Sequence, residues 1–373
     1  MCENQMTLNI EKTKAMIFNK TGRHMRRQFY CGEQKVETMR LYKYLGFMVN
    51  ASGGINTGLH DLKDRALKAL MSIKNKLGPV FKKNPLITIK LFDAMVRPIL
   101  LYASEFWGSL KLPKNNPIET LHISFCKQLL GVHRQTTNNG VLLELGQVPL
   151  SIYAKKIAIK NWETVATYKR NKMITKSYES AITHNLKWLT GIKTNLEEIG
   201  MYDAYLNKHD NTHIKSLQRL TDIFHQNTFS TIKQENSKLR TYSIFKTEIA
   251  CEEYLSKIQN IDVRVALTKL RLSNHPLMIE KGRYQQIDKN LRFCPFCLTK
   301  IEDEIHFMMN CNLYDSLRKE LFTEVNIKIP FFPYMSTKKQ FKTLLSNNKI
   351  IKYTALYVHK SLERRKSNID VSS

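Results

Sequence analysis

Acidic side chains are scarce in this chain. Asp and Glu together number 32 against 59 Lys and Arg, which leaves a formal net charge of +27 over 373 residues. A surplus of that size says nothing about fold, but it calls for a polyanionic partner. Nucleic acid is the commonest one, and an acidic membrane surface is the other candidate. Long apolar runs are missing too. None reaches the roughly 18–20 residues of a membrane helix, which argues against a membrane-embedded protein. The opening MCENQMTLNIEK has no apolar core of a secretory signal, so none is expected. Cysteine is sparse and odd in number, at positions Cys2, Cys31, Cys126, Cys251, Cys294, Cys297 and Cys311. A dispersed odd set does not make a disulfide framework and points to a reducing intracellular compartment, nucleus or cytoplasm. Also lacking are GxxxxGK[ST], GxSxG and HExxH. Two-metal phosphoryl transfer needs converging carboxylates, but Asp93 and Asp203 stand alone. Asp61 and Asp64 read as N-terminal charges of a helix, and no active site is visible.

Near the C-terminal end the sequence has a recognisable metal-ligand pattern, Cys294-x2-Cys297-x8-His306-x4-Cys311. Zinc takes four soft or borderline donors in a tetrahedron, and a two-residue gap lets one tight turn present two thiolates. Pro295 stiffens that turn. Glu302-Asp303-Glu304 reads as the acidic first turn of a short helix carrying His306. On one unbroken helix Cys311 would point about 140° away from His306. The helix is therefore expected to break near Asn310, bring Cys311 in, and restart with Asn312 as N-cap. Four protein ligands leave no open position, so the ion is structural Zn2+. The alternative is three core cysteines and an unrelated histidine.

Hydrophobic residues make up 42% of the chain, enough for most of it to fold, into two or three domains. Residues 1–50 read as β with turns: the apolar run 14–18, a hairpin around Cys31-Gly32-Glu33, and the apolar stretch 42–49 ended by ASGG. From Leu59 the period becomes helical. Leu59, Leu62, Ala66, Leu70, Ile73 and Leu77 share a narrow face, Lys63, Arg65, Lys68, Lys74 and Lys76 fill the rest, and Gly78-Pro79 ends the helix. A second helix over about 86–107 is kinked or split by Pro98. Ile118–Leu130 forms a third, Asn138 or Asn139 caps a fourth to Leu145, and Pro149 opens a fifth toward Tyr168. Residues 170–260 are lysine-rich and helical in period without a chemical motif. Residues 263–272 read as a basic amphipathic helix. IPFFPYM is a loop, and a final basic helix follows, fraying over 367–373. The fold class is mostly α, with a small N-terminal β/α part and a small C-terminal zinc unit. The expected segments are 1–50, 51–111 (helices), 118–290 (helical connector), 291–322 (zinc unit) and 323–373 (basic helical tail), with LPKNNP at 112–117 as a linker.

Several stretches, taken in order, resemble the reverse transcriptases of non-LTR retrotransposons (LINE, jockey-like elements). LNIEKTKAMIF (8–18), FYCGEQKV (29–36) and YKYLGFMVN (42–50) resemble the last palm elements. LFDAMVRPILLYASEFWG (91–108) looks like the thumb region, and LTKLRLSNHPLMIEKGRY (267–284) followed by the Cys/Cys/His/Cys pattern looks like the C-terminal segment. The resemblance implies that residues 1–50 are a palm remnant and that Lys12, in the NxxKT element, lies near nucleotide phosphates. Tyr44, Leu45 and Gly46 would border the primer end. Lys63, Lys68 and Lys74 become candidate phosphate contacts on a thumb helix, the alternative being a solvated face. Cys294, Cys297, His306 and Cys311 match the family's zinc knuckle, where Phe293 and Phe296 would offer a stacking face or else pack against the metal core. The family's FADD or YADD aspartates would lie upstream, so the resemblance implies no catalytic Mg2+ in this chain and no polymerisation by it alone. The expected role is non-sequence-specific binding of RNA or DNA, with the missing polymerase half as a further partner. The competing readings are a zinc-stabilised protein-interaction module and a relic of a mobile element.

Overall fold

The computed structural model describes residues 9–19, 27–168, 170–234 and 236–372, the side chains of 370–372 excepted. Residues 1–8, which include Cys2 and Leu8 of the first palm-like block, lie outside the described residues. The chain is mostly helical, with small N-terminal sheets and a Cys-Cys-His cluster near the C-terminal end. It gathers into two compact units. The first takes residues 1–73, 92–121 and 150–217, and the second takes 74–91, 122–149 and 218–373. These units follow contact, whereas the segments above follow the sequence.

In the first unit β1 (Lys14–Ala15) pairs parallel with β3 (Gln34–Thr38), which pairs antiparallel with β2 (Phe29–Cys31) about the Gly32-Glu33 turn. The stretch 42–49, read above as one apolar run, folds back on itself. β4 (Leu41–Tyr44) and β5 (Phe47–Asn50) form a hairpin with Tyr44 opposite Phe47. Its two-residue turn, Leu45-Gly46, has φ of +43° and +83°, the backbone that matches strand twist in tight hairpins. Leu45 carries strain there, and the tip is clamped. The Tyr102 hydroxyl donates to the Leu45 carbonyl, and Arg65 donates to the Gly46 carbonyl at 2.8 Å.

The helix Asn56–Leu77 buries Leu59, Leu62, Ala66, Leu70 and Ile73, the stripe its period predicts, and Gly78 ends it with φ +49°. Each such leucine contributes roughly 1.5–3 kcal/mol by leaving water. Asp61 and Asp64 are not first-turn charges, because the helix starts at Asn56; Asp61 pairs with Arg65 at 3.0 Å. A Cβ at Gly58 would come within 2.2 Å of the Phe47 ring, so the missing side chain lets the hairpin lie against the helix. Pro98 splits the next helical stretch into Pro85–Met95 and Arg97–Leu100, followed by Ser104–Trp107. The helix Leu150–Thr167 follows Pro149 as expected. Thr137, and neither Asn138 nor Asn139, holds the N-cap position of Asn138–Glu144.

In the second unit a buried carboxylate organises the core. Glu144 accepts from Arg271 Nε at 2.6 Å, from the Tyr242 hydroxyl at 2.7 Å and from the Tyr254 hydroxyl at 2.6 Å. Burial would raise the Glu144 carboxyl, but the Arg271 charge and these hydrogen bonds outweigh it and hold the pKa below its ordinary value. The helix Ile261–Arg271 therefore differs from the amphipathic expectation. Two of its three cations, Arg264 and Arg271, are buried, with Arg264 donating to the Ile258 carbonyl at 2.7 Å. IPFFPYM contains a 3-10 turn at Phe332–Tyr334, and the last helix runs Ile351–Ser372 with no frayed end in the described backbone. Among the described residues no helix is long and apolar enough to cross a membrane.

Candidate metal centre

The site begins with a short ladder. Phe293 and Ile301 form an antiparallel bridge, Cys294 N–H donates to the Lys300 carbonyl at 2.8 Å, and Glu302 N–H donates to the Arg292 carbonyl at 2.9 Å. The chain between must turn tightly, and it does so with Leu298 at φ +55° and its N–H on the Cys294 carbonyl at 2.9 Å. That turn presents Cys294 and Cys297 together. Asp303 then caps the following helical segment, its Oδ1 accepting from His306 N–H at 2.7 Å.

His306–Asn310 is a π-helical turn. Cys311 N–H donates to the His306 carbonyl at 2.9 Å, an i to i+5 bond. The helix breaks after Asn310 and resumes at Asn312, as expected, and the widened turn ahead of the break carries residue i+5 closer to residue i than an α-helix would. Cys311 itself is extended, at φ −67° and ψ 127°, and it occupies the cap position expected for Asn312. Such single π turns are often found at functional sites.

Donor atoms of Cys294, Cys297 and His306 all lie within 4.8 Å of one another, so this cluster can hold a metal such as zinc. Cys294 Sγ is 3.8 Å from Cys311 Sγ, and Cys297 Sγ is 3.5 Å from His306 Nε2. A zinc tetrahedron with Zn–S near 2.3 Å and Zn–N near 2.0–2.1 Å has S–S edges of about 3.8 Å and S–N edges of about 3.6 Å. These two edges have the spacing the ion requires, while Cys311 stands outside the group whose donors all lie within 4.8 Å of one another and approaches it through Cys294. Without metal these groups compete for protons. The hydrogen bond with Cys311, and then burial, push the Cys294 thiol up to about 12, while the same bond lowers Cys311. The hydrogen bond with Cys294 raises His306.

The surroundings differ from the sequence reading. Glu302 and Glu304 are not exposed first-turn charges but are buried, and each is held by partners from elsewhere in the unit. Glu302 accepts two hydrogen bonds from Arg365, at 3.0 and 2.8 Å, and one from Met278 N–H at 2.6 Å. Glu304 accepts two from Arg240, at 2.9 and 2.8 Å, one from His275 Nε2 at 3.0 Å, and one from Ser273 at 3.2 Å. Burial alone would raise the Glu304 carboxyl. The hydrogen bond and charge of His275, then the charge of Arg240, hold it down to about 2. The π turn and the helix break also leave carbonyls without intrahelical donors. Arg318 supplies donors to Met308 at 3.1 Å and Cys311 at 2.5 Å, and the Tyr357 hydroxyl donates to Phe307 at 3.0 Å. The site is therefore built into the unit's core, with Phe307, Met308 and Tyr314 fully buried, and is not a small unit relying on metal alone. Sequence reasoning missed Arg240, His275 and Arg365, which lie 29 to 64 residues from the acids they bind, and also Arg318, which is near Cys311 along the chain but lies beyond the helix break.

The other candidate contacts fall as follows. Lys12 is exposed in a turn that Asn9 closes through its Oδ1 on Lys12 N–H at 3.1 Å. Tyr44 and Leu45 are exposed and, with Gly46, form the hairpin tip. On the helix Asn56–Leu77, Lys68 and Lys74 are exposed and Lys63 is partly exposed. By helical geometry Lys63 and Lys74 lie within about 20° of each other, and Lys68 is about 140° from Lys63, so the three do not form one stripe. Phe293 is exposed at 42%, whereas Phe296 is half-buried with the Arg365 guanidinium 5.6 Å from its ring centroid.

No family model matches the chain, and no solved structure matches it. The chain is 31% identical over 91 residues to a Caenorhabditis elegans protein whose name describes it as transposon-derived and uncharacterized. The match covers 24% of this chain and 32% of that protein, so it spans about a third of the relative's length.

Proposed function

We propose that this chain is the rear part of a non-LTR retrotransposon reverse transcriptase. In this reading it holds RNA or DNA without sequence preference inside the cell, in nucleus or cytoplasm. The observation that carries the reading is the similarity to a transposon-derived protein. A Cys/Cys/His cluster that can hold a metal such as zinc and a net charge of +27 support it.

Cys294, Cys297, His306 and Cys311 together would complete a four-coordinate structural Zn2+ site, and the ion would supply a rigid cross-link and no reaction chemistry. The chain's own residues do the rest. The ladder from Arg292–Cys294 to Lys300–Glu302 fixes Phe293 beside the cluster, where its exposed ring offers a face to an unpaired base. Lys63, Lys68 and Lys74 would meet phosphates, and Lys12, Tyr44, Leu45 and Gly46 would contribute only when the rest of a polymerase is present.

Binding of the purified chain to a short RNA–DNA duplex over a salt series, with and without a zinc chelator, tests this. The expected result is a log affinity that falls steeply with log salt and weakens on chelation. A shallow slope overturns it in favour of a zinc-stabilised module that binds a protein partner, and no binding to any nucleic acid or protein leaves a relic.

A further inference from the structure

The most informative remaining feature is a concave basic pocket of about 250 Å³ in the second unit, lined by Asn236, Arg240, Ile279, Arg283, Lys289 and Arg292. Several cations of this unit are matched by carboxylates: Arg271 by Glu144, Arg365 by Glu302, and Arg240 by Glu280 and Glu304, whereas the buried Arg264 donates to carbonyls. Arg292 is held like Arg264, but it lines the pocket. Its Nε and one terminal nitrogen donate to the Ile287 carbonyl at 2.9 and 2.7 Å, and the other donates to the Ile279 carbonyl at 2.9 Å. Neutral carbonyls hold the guanidinium still without cancelling its charge. Arg283 comes only within 3.6 Å of Glu280. Lys289 is exposed, and the adjacent Asp288 already accepts from Asn290 N–H at 2.9 Å.

The placement of Arg292 depends on a glycine. A Cβ at Gly282 would lie 2.8 Å from Arg292 Cγ and 3.0 Å from Cδ, so only glycine lets the side chain cross the helix Met278–Tyr284. Its main chain is also fixed, because its carbonyl accepts from Glu302 N–H in the ladder of the metal cluster. The lining has one apolar side chain, Ile279, and no aromatic ring. Such a pocket can recognise an oxyanion but offers no floor for a base, so the rest of its ligand must lie outside. That is the situation of a phosphodiester within a polymer.

We propose that Arg283, Lys289 and Arg292 form a seat for a backbone phosphate of a bound nucleic acid, beside the metal cluster. The inference rests on the nucleic-acid reading and names the residues that would carry it in the second unit. The seat makes binding sensitive to metal, because the strand that carries Arg292 is the first strand of the ladder.

The test uses the full chain, oligo(dT) as probe and a NaCl series. Arg292 satisfies three carbonyl bonds, so Arg292→Gln can fail to fold, and the pair Arg283→Gln/Lys289→Gln is used instead. A second pair, Lys172→Gln/Lys176→Gln, removes the same charge from exposed positions on the helix Lys172–Thr183. The Arg283/Lys289 pair is expected to lower affinity about ten-fold at low salt and to reduce the log–log salt slope by about 2. The Lys172/Lys176 pair should change the slope by less than about 1. If the two pairs behave alike while the parent binds, the seat is wrong and the nucleic-acid reading stands. If the parent binds no oligonucleotide, both fall together. Polyglutamate that competes as well as oligo(dT) at equal charge would also overturn the seat.

Discussion

The helix Asn56–Leu77 and the surroundings of the metal cluster treat positive charge in opposite ways. On the helix, leucines face inward, and Lys68 and Lys74 stand in solvent. Arg240, Arg318 and Arg365 around the cluster, and Arg271 in the core of the same unit, point inward, where they meet carboxylates or orphaned carbonyls. A single net charge of +27 therefore describes two populations. One is available to a polyanion, and the other is consumed in holding the fold. Counting basic residues, or finding them at helical spacing, does not separate the two.

The sharpest way to break this comparison is to remove a buried cation. Arg271→Met should strand the Glu144 carboxylate and cost about 3–5 kcal/mol in urea unfolding. Adding Glu144→Leu should recover much of that loss, which an exposed pair would not do. A smaller effect is expected from acid. The Glu304 carboxyl is held down to about 2 in the folded chain against an ordinary 4.5. Its contribution is thus complete above pH 4.5 and is lost as pH falls toward 2. The whole swing is about 3 kcal/mol. Measured in chelator, so that metal release does not intrude, stability of the parent should fall more steeply over that window than stability of Glu304→Gln.

Metal comes next in size. At zinc about a hundredfold above its Kd, stability should exceed that of the chelated chain by about 2.7 kcal/mol. Far-ultraviolet circular dichroism should change little, because the packed core around the cluster remains. Loss of most helical signal on chelation would show that the metal, not the ion pairs, holds this region. In the first unit, Gly46→Ala places a side chain at φ +83° and should cost about 1–2 kcal/mol by chemical denaturation. Smallest of all, Lys68→Gln should leave stability within about 0.5 kcal/mol. It should reduce the salt slope of nucleic-acid binding by about 1. A large stability loss there would place that lysine in the structural population.

Much of the fold could be read before any coordinates. The stripe Leu59 to Ile73, the stop at Gly78, the split at Pro98, the start after Pro149 and the hairpin at Gly32-Glu33 all follow from residues that are neighbours along the chain. The second hairpin was less legible, because Leu45 must adopt a backbone that leucine disfavours and does so only under the clamp of Tyr102 and Arg65. The donor residues of the metal cluster were legible because their spacing is itself the signal. The break after Asn310 that brings Cys311 in was legible as well, but the π turn before it was not, since it is stabilised by Arg318 and Tyr357 from other helices.

The sequence by itself determined the helical periods, the turn positions and the zinc-type donor pattern, because each depends on interactions spanning a few residues. Tertiary structure alone decided which charges are spent inside the fold. Glu302 and Glu304 look like any acidic helix start until Arg365, Arg240 and His275 arrive from up to 64 residues away. Burying an ion is unfavourable unless its partner is buried with it, and that condition is met only when distant segments meet in space.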